Sequence, residues 1–365
     1  MRVIHLSYRV PKPKFTDPEA WLKRISFSVV VMESMADYSE VIGIYHIDYE
    51  GVLTKNQVTY HFPGFNRWQL LLPFQFNRYV AKLKPRAIIV HGLIFPWQII
   101  MLRWQVGSGV KIIAQHHAER PLKDFRQYLQ QWADRYIKAY MFASIELGMR
   151  WVEKGQIRDS MKIKEIIGTS SIFNPIQKKV AKSFTKVSEG KIFLWVGRLD
   201  TNKDPITLIK AFSQFSIKNS NVHLYVIFQG DELIEEVKMQ VMTFKAEAQI
   251  TLVGKVEHDD LLYWYNSADF IISSSHYEGS GIAICEAMSC GCIPILTNIP
   301  SFQMMTNGGR IGFLYEPGDE NGLRNAVTQS LSLDQLSERK KVLRHFNAAL
   351  SGNANARKIM DVIYE

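Results

Sequence analysis

The feature that most limits what this chain can fold into is a regular alternation of short apolar runs with longer helix-patterned stretches. In the second half the runs are residues 192–196, 222–228, 250–253, 270–272 and 293–297. Helical periodicity fills the intervals at 206–215, 232–244, 260–266 and 282–289. The first half follows the same plan, with runs at 3–6, 41–45, 87–90, 111–114 and 163–167. Its helical stretches are 17–38, 68–83, 97–104, 125–139 and 149–154. Strands this short, spaced by helices of this length, form right-handed βαβ units and a parallel sheet. The fold class expected is therefore α/β.

A chain of 365 residues exceeds the roughly 250–300 at which one hydrophobic core stops growing, so two domains are expected. Residues 174–190 are polar and lysine-rich with little periodicity, and they mark the division. The expected domains are two Rossmann-like units, 1–175 and 176–345, with 346–365 a helical tail packing back on the first. An apolar content of 47% and a charged content of 22% are those of a soluble globular protein. The first residues lack the long uncharged core of a signal peptide. The longest apolar runs, 25–32 and 93–102, are too short or too interrupted to span a bilayer. A cytoplasmic protein is expected.

The formal net charge of +9 is uneven. Residues 1–179 carry 26 Lys and Arg against 14 Asp and Glu, and the remainder 18 against 21. A basic first half fits an anionic membrane surface, a phosphorylated substrate or a solvated basic face. No aromatic RNA-binding motif, zinc finger or basic zipper is present, so nucleic acid is not an expected partner. The cysteines, Cys285, Cys290 and Cys292, lack the spacing and the nearby histidines of a metal site. They are expected to be small buried residues in a reducing compartment. No metal is expected.

In open parallel sheets, ligands bind at the carboxyl ends of strands. After the run 270–272 come three serines, and then His276-Tyr277-Glu278-Gly279-Ser280-Gly281-Ile282, opening a helix with Ser280 as its expected cap. A helix mouth favours an anion, whereas Glu278 and Glu286 suit hydroxyl groups. The ligand expected is thus both phosphorylated and rich in hydroxyls. After 192–196 comes a loop holding Arg198 and Lys203, either a diphosphate clamp or two surface charges, with Asp204-Pro205 capping the next helix. Gly230 permits a tight turn after 222–228. In the first half, His116 and His117 end the run 111–114. One of them suits hydrogen bonding to phosphate or sugar, or proton transfer, and the other a structural role. His91 is a weaker candidate.

These residues together resemble the retaining nucleotide-sugar glycosyltransferases of the GT-B fold, the large family 4 group. The resemblance rests on Glu278-x7-Glu286 with Gly281 between, on Gly197-Arg198-Leu199 with Lys203, and on Phe228-Gln229-Gly230. It extends to Leu252-Val253-Gly254-Lys255-Val256 and to Gly312-Phe313-Leu314 with Pro317-Gly318-Asp319. In the first half it rests on organisation, His116-His117 and Phe173-Asn174-Pro175. The resemblance implies two Rossmann-like domains facing each other across a cleft, and a UDP- or GDP-sugar donor with no cofactor required. It implies that Arg198 and Lys203 hold the donor diphosphate, aided by the N–H groups of Gly281 and Ile282, and that Gly230 lies in the donor-binding set. Glu286 would accept hydrogen bonds from the ribose, Glu278 would face the transferred sugar, and His117, with His116 second, would stand on the acceptor side. The acceptor implied is a glycan, a lipid-linked sugar or another hydroxyl compound.

One departure concerns the glycine-rich loop common after the family's first strand. Here that stretch is 7–14, without glycine, and Arg9, Lys12 and Lys14 there suit an anionic acceptor. Trp97, Ile99, Ile100, Leu102 and Trp104 are open to two readings, interfacial side chains for a peripheral membrane contact or core. The alternatives to a transferase are a GT-B-type epimerase or phosphorylase, or a non-catalytic nucleotide-sugar-binding subunit.

Overall fold

A computed structural model describes residues 1–11 and 15–365, which form two compact units, 1–170 with 352–365, and 171–351. Lys12 and Lys14 lie outside the described residues. The expected divisions at 175 and 345 move by about half a dozen residues, for local reasons. Phe173 packs against the His258 ring at 5.1 Å with the planes tilted by 33°, and the Asn174 carbonyl accepts from Asn266 Nδ2 at 3.1 Å, which ties both to the second unit. At the other end, a turn of π-helix, Phe346–Leu350, continues the helix Gln335–His345 of that unit.

In the first unit, eight strands form one sheet: β1 (Arg2–Leu6), β2 (Glu40–Ile44), β3 (Gly51–Lys55), β4 (Val58–Phe62), β5 (Ala87–His91), β6 (Lys111–Gln115), β7 (Ile137–Phe142) and β8 (Ile163–Glu165). Their spatial order is β3-β4-β2-β1-β5-β6-β7-β8. The strand order reverses between β1 and β5, which pair in parallel. The core is built from the near-continuous buried runs of β1, β2, β5, β6 and β7, as expected for parallel strands covered on both sides, whereas the antiparallel edge strand β3 is largely exposed. The helix Gly352–Tyr364 packs in this unit against Ser26–Ala36. Gly352 makes that approach possible, since a Cβ there would lie 2.9 Å from the Val30 carbonyl oxygen.

Four sequence readings need correction here. The stretch 17–38 is two helices, Pro18–Arg24 and Ser26–Ala36, broken at Ile25. The stretch 68–83 is also two, Arg67–Leu71 and Phe74–Lys82, because Pro73 has no N–H to continue the helical ladder. The hairpin β3–β4 went unread: its two-residue turn, Asn56-Gln57, takes positive φ angles of 48° and 66° without a glycine to announce it. β7 went unread because a short apolar run continuing a helical stretch has no periodicity of its own to separate it.

The second unit is an all-parallel sheet of six strands: β9 (Lys191–Arg198), β10 (Val222–Gln229), β11 (Ile250–Gly254), β12 (Phe270–Ser273), β13 (Ile293–Thr297) and β14 (Phe313–Tyr315). Their order is β11-β10-β9-β12-β13-β14. The central pair is locked by Phe193 of β9 stacking on Phe270 of β12 at 4.7 Å, with Phe212 edge-on at 5.3 Å. Fully burying each of these rings is worth about 1.5–3 kcal/mol. The polar stretch 174–190 is not wholly irregular. It contains the helix Lys178–Thr185, which buries Ala181 and stacks Phe184 on Tyr263 at 4.2 Å.

Candidate functional site

The carboxyl ends of β9 and β12 adjoin in the second unit, and each runs into a polar loop. The loops are sewn together by their own backbone groups. His276 N donates to Asn202 O at 2.8 Å, Asn202 Nδ2 to Tyr277 O at 3.0 Å, and Ser274 Oγ to Lys203 O at 2.8 Å. Asp204 stands at φ 44° and accepts from Thr207 N at 3.1 Å, capping Pro205–Ser216 as expected. Lys203 is thereby fixed on one side of the seam and Glu278 on the other, and Lys203 Nζ donates to the Glu278 carboxylate. Ser275 Oγ also donates to Glu278 Oε1, at 2.8 Å.

Arg198 lies on the same loop, but its side chain is 69% exposed and pairs with Asp200 at 2.9 Å. Each of the two cations therefore has a carboxylate partner. Gly230 follows β10 at φ 80° with nothing within 4 Å of where a Cβ would stand, so the turn there faces open space.

The helix Ile282–Ser289 starts at Gly281, not at Ser280. Gly281 is the N-cap, left-handed at φ 54°, with no side-chain cap bond. A glycine is required there on two counts, the backbone angle and a Cβ position only 2.8 Å from the Phe302 ring. An uncapped mouth leaves the first-turn N–H groups for an external acceptor. On the second turn Glu286 is buried at 4% exposure, its two oxygens accepting from His258 Nε2 at 2.7 Å and Tyr265 OH at 3.1 Å. Those two donors were not singled out from sequence. The available signal was position, because His258 follows the end of β11. Cys285, Cys290 and Cys292 are buried and unbridged, and burial raises all three thiols, Cys290 to about 12.

In the first unit, the ends of β1, β5 and β6 bring three imidazoles into line. His5 Nδ1 lies 3.1 Å from His91 Nε2, and His91 Nδ1 lies 3.0 Å from His117 Nε2. His91 and His117 stack with centroids 5.2 Å apart. Burial holds His5 and His91 down at about 3. His117 keeps contact with solvent, yet the protein packed around it and the neighbouring His91 lower it to about 3 as well. Neutral rings carry one N–H each, so the chain is directional. If His5 and His91 each donate through Nδ1, His117 keeps its proton at Nδ1 as an outward donor; in the opposite sense its outward Nδ1 accepts. His116 is turned inward, its Nε2 2.8 Å from the Glu119 carbonyl oxygen and its ring 4.7 Å from Phe142.

A cavity of about 1090 Å³ opens in the same unit, lined at the ends of β1, β2, β4 and β5 by Tyr8, Arg9, His46, Asp48, Phe65, Arg67 and Phe95 among others. It sits where the strand order reverses, the place at which open α/β sheets bind ligands. Of the five residues open to an interfacial reading, Ile99, Ile100 and Leu102 are core, on the helix Pro96–Val106, which packs against the helices Phe74–Lys82 and Arg126–Ala133. Trp104 is exposed and meets Trp132 at 6.4 Å.

Residues 176–343 match the family model of the glycosyl transferases group 1. The chain is 30% identical over 142 residues to mannosylfructose-phosphate synthase of Agrobacterium fabrum, covering 37% of this chain and 31% of that protein. The aligned stretch thus spans about a third of that relative's length. It is 25% identical over 291 residues to phosphatidyl-myo-inositol mannosyltransferase of Mycobacterium leprae, covering 73% of this chain and 74% of that one. In fold it is similar to sucrose-phosphate synthase of Thermosynechococcus elongatus, with a TM-score of 0.71 at 17% identity over 100% of this chain and 98% of the other.

Proposed function

We propose that this chain, a group 1 glycosyltransferase by its residues 176–343 and GT-B in fold, moves a sugar from a nucleotide diphosphate sugar to a hydroxyl acceptor with retained configuration. The observation that carries the reading is the seam between the β9 and β12 loops, where Lys203, Glu278 and the uncapped helix mouth at Gly281–Ile282 share one strand-end site. A diphosphate meets Lys203 and the N–H groups of the mouth, and Arg198 swings from Asp200 to add its guanidinium. These groups stabilise the charge that grows on the leaving diphosphate.

In this reading Glu286, already oriented by His258 and Tyr265, uses its remaining lone pairs for the ribose hydroxyls. Glu278 is freed by the arriving phosphate from part of its hold on Lys203 and accepts from a hydroxyl of the transferred sugar. The diphosphate itself takes the acceptor proton as it leaves, and no resident metal is required. His117 serves the acceptor side as a neutral hydrogen-bond donor, held in one tautomer by His91 and His5. His116 supports that strand end from within. The acceptor is a glycan or lipid-linked hydroxyl compound that uses the cavity of the first unit.

Calorimetry against a panel of UDP- and GDP-sugars, with and without chelator, tests this. One nucleotide series should bind and turn over in chelator, and Glu286→Ala should weaken that binding by about 10- to 100-fold, the worth of one or two hydrogen bonds to a charged group. Unchanged affinity in Glu286→Ala, or loss of turnover in chelator, refutes the assignment.

A further inference from the structure

Residues 51–118 contain no aspartate or glutamate, and eight lysines and arginines. Inside this acid-free stretch the pair of helices Arg67–Leu71 and Phe74–Lys82 turns an apolar cluster outward. Trp68 is 75% exposed, Leu72 60%, Phe74 56% and Leu71 50%. Four large side chains this exposed within seven residues are not scattered surface apolars; they mark an interaction site. The buried side of the second helix is already filled by Phe76, Asn77 and Val80. Its outer row runs Phe74, Arg78, Lys82 at intervals of four, all exposed, so an aromatic and two cations share one face.

We propose that this face docks on an anionic lipid bilayer, with the Trp68–Phe74 cluster entering the interface and Arg67, Arg78 and Lys82 against the headgroups. Exposed tryptophan and leucine beside cations is the chemistry of an interfacial helix, and juxtamembrane cations gain from anionic lipid. Charge decides among occupants. A second copy docked face to face would set Arg67, Arg78 and Lys82 against their twins, whereas anionic lipid offers these cations opposite charge; the carboxylates of Asp48 and Glu50 line the adjoining cavity. The face also borders the cavity at the strand ends, because Arg67 and Ile94 line that cavity and Ile94 is itself exposed. Docking here would present the cavity to the membrane surface. Among the described residues no helix is long and apolar enough to cross a membrane, so the attachment proposed is peripheral. The docking goes beyond the transfer reading and stands or falls separately from it.

The test is cosedimentation of the full chain with vesicles of phosphatidylcholine alone and with about a third phosphatidylserine. The wild type should bind the anionic vesicles and release in high salt. Trp68→Ser with Leu72→Ser and Phe74→Ser should weaken binding at least tenfold, and Arg78→Glu with Lys82→Glu by a similar factor. Ile217→Ser, equally exposed on the second unit, should have no effect. Far-ultraviolet circular dichroism and the urea midpoint should match wild type in every variant, which shows that the first unit is folded, and donor affinity by calorimetry, a property of the second unit, should be unchanged, which separates this proposal from the transfer reading. Full binding by the triple serine variant overturns the proposal. So does failure of the wild type to bind, or self-association of the wild type without lipid that the triple variant abolishes.

Discussion

Replacing Lys203 by alanine tests both the stability and the chemistry of the seam. The Lys203 and Glu278 side chains are 21% and 14% exposed, so most of this ion pair is withdrawn from water. Removing one partner of a fully buried pair costs about 3–5 kcal/mol, chiefly because the other charge is stranded. Partial exposure of Lys203 reduces that, and the Ser275 hydroxyl at 2.8 Å offsets about 1 kcal/mol more. The expected loss in the second unit is about 2 kcal/mol. With the donor bound as proposed, the loss is double, since a cation facing the diphosphate would disappear and Glu278 would be left unneutralised. Two unit charges 4 Å apart at an effective dielectric of 20 interact by about 4 kcal/mol, so the donor dissociation constant should rise roughly 100- to 1000-fold. The combination of Lys203→Ala with Glu278→Gln removes the stranded charge. Urea unfolding should then recover to within about 1 kcal/mol of wild type, and donor affinity by about tenfold, while turnover stays lost. A double variant no more stable than the single one, with no better donor affinity, refutes the pairing as drawn.

Gly281→Ala should destabilise the second unit by about 2–4 kcal/mol, about 1–2 from the left-handed backbone and the rest from overpacking on the buried Phe302 ring. Gly230→Ala, also left-handed but facing open space, should cost only the backbone share of about 1–2 kcal/mol, and equal thermal shifts for the two variants would exclude this account. The histidine chain predicts the pH response. His5 is held at about 3 in the folded state against about 6.5 unfolded, so below pH 6.5 the unfolded chain takes up protons that the folded one does not. Stability is therefore full above about 6.5 and falls as pH drops toward 3, by about 2 kcal/mol at pH 5 for His5 alone. A His5→Gln variant should lose that slope, seen as a gap between its urea midpoint and that of the wild type that changes between pH 7 and 5. Parallel curves would show that His5 does not hold its low value.

How much of this was legible beforehand depends on how local the determining physics is. The parallel α/β architecture could be read because strand and helix periods are short-range properties of the side-chain pattern. The β9 loop and the Glu278–Glu286 stretch could be read for the same reason, since a strand end, a glycine turn and a helix start follow one another within a dozen residues. The Asp204 cap is of this kind. Where two structures compete for one local pattern, reading failed: β7 continues a helical stretch, and Asn56-Gln57 turns a hairpin without glycine.

Tertiary structure alone decided who meets whom. His5, His91 and His117 lie far apart in the chain and form one hydrogen-bonded line only because β1, β5 and β6 are neighbours in the sheet. Glu286 finds His258 and Tyr265, and Lys203 finds Glu278, by strand order in the same way. Even exposure was a tertiary outcome. Ile99, Ile100 and Leu102 are as apolar as Leu71, Leu72 and Phe74, but the first set is buried and the second faces solvent, because Pro73 ends one helix and re-aims the next. Periodicity along a chain states what each element is, whereas the pairing of elements far apart in sequence states what each side chain can touch.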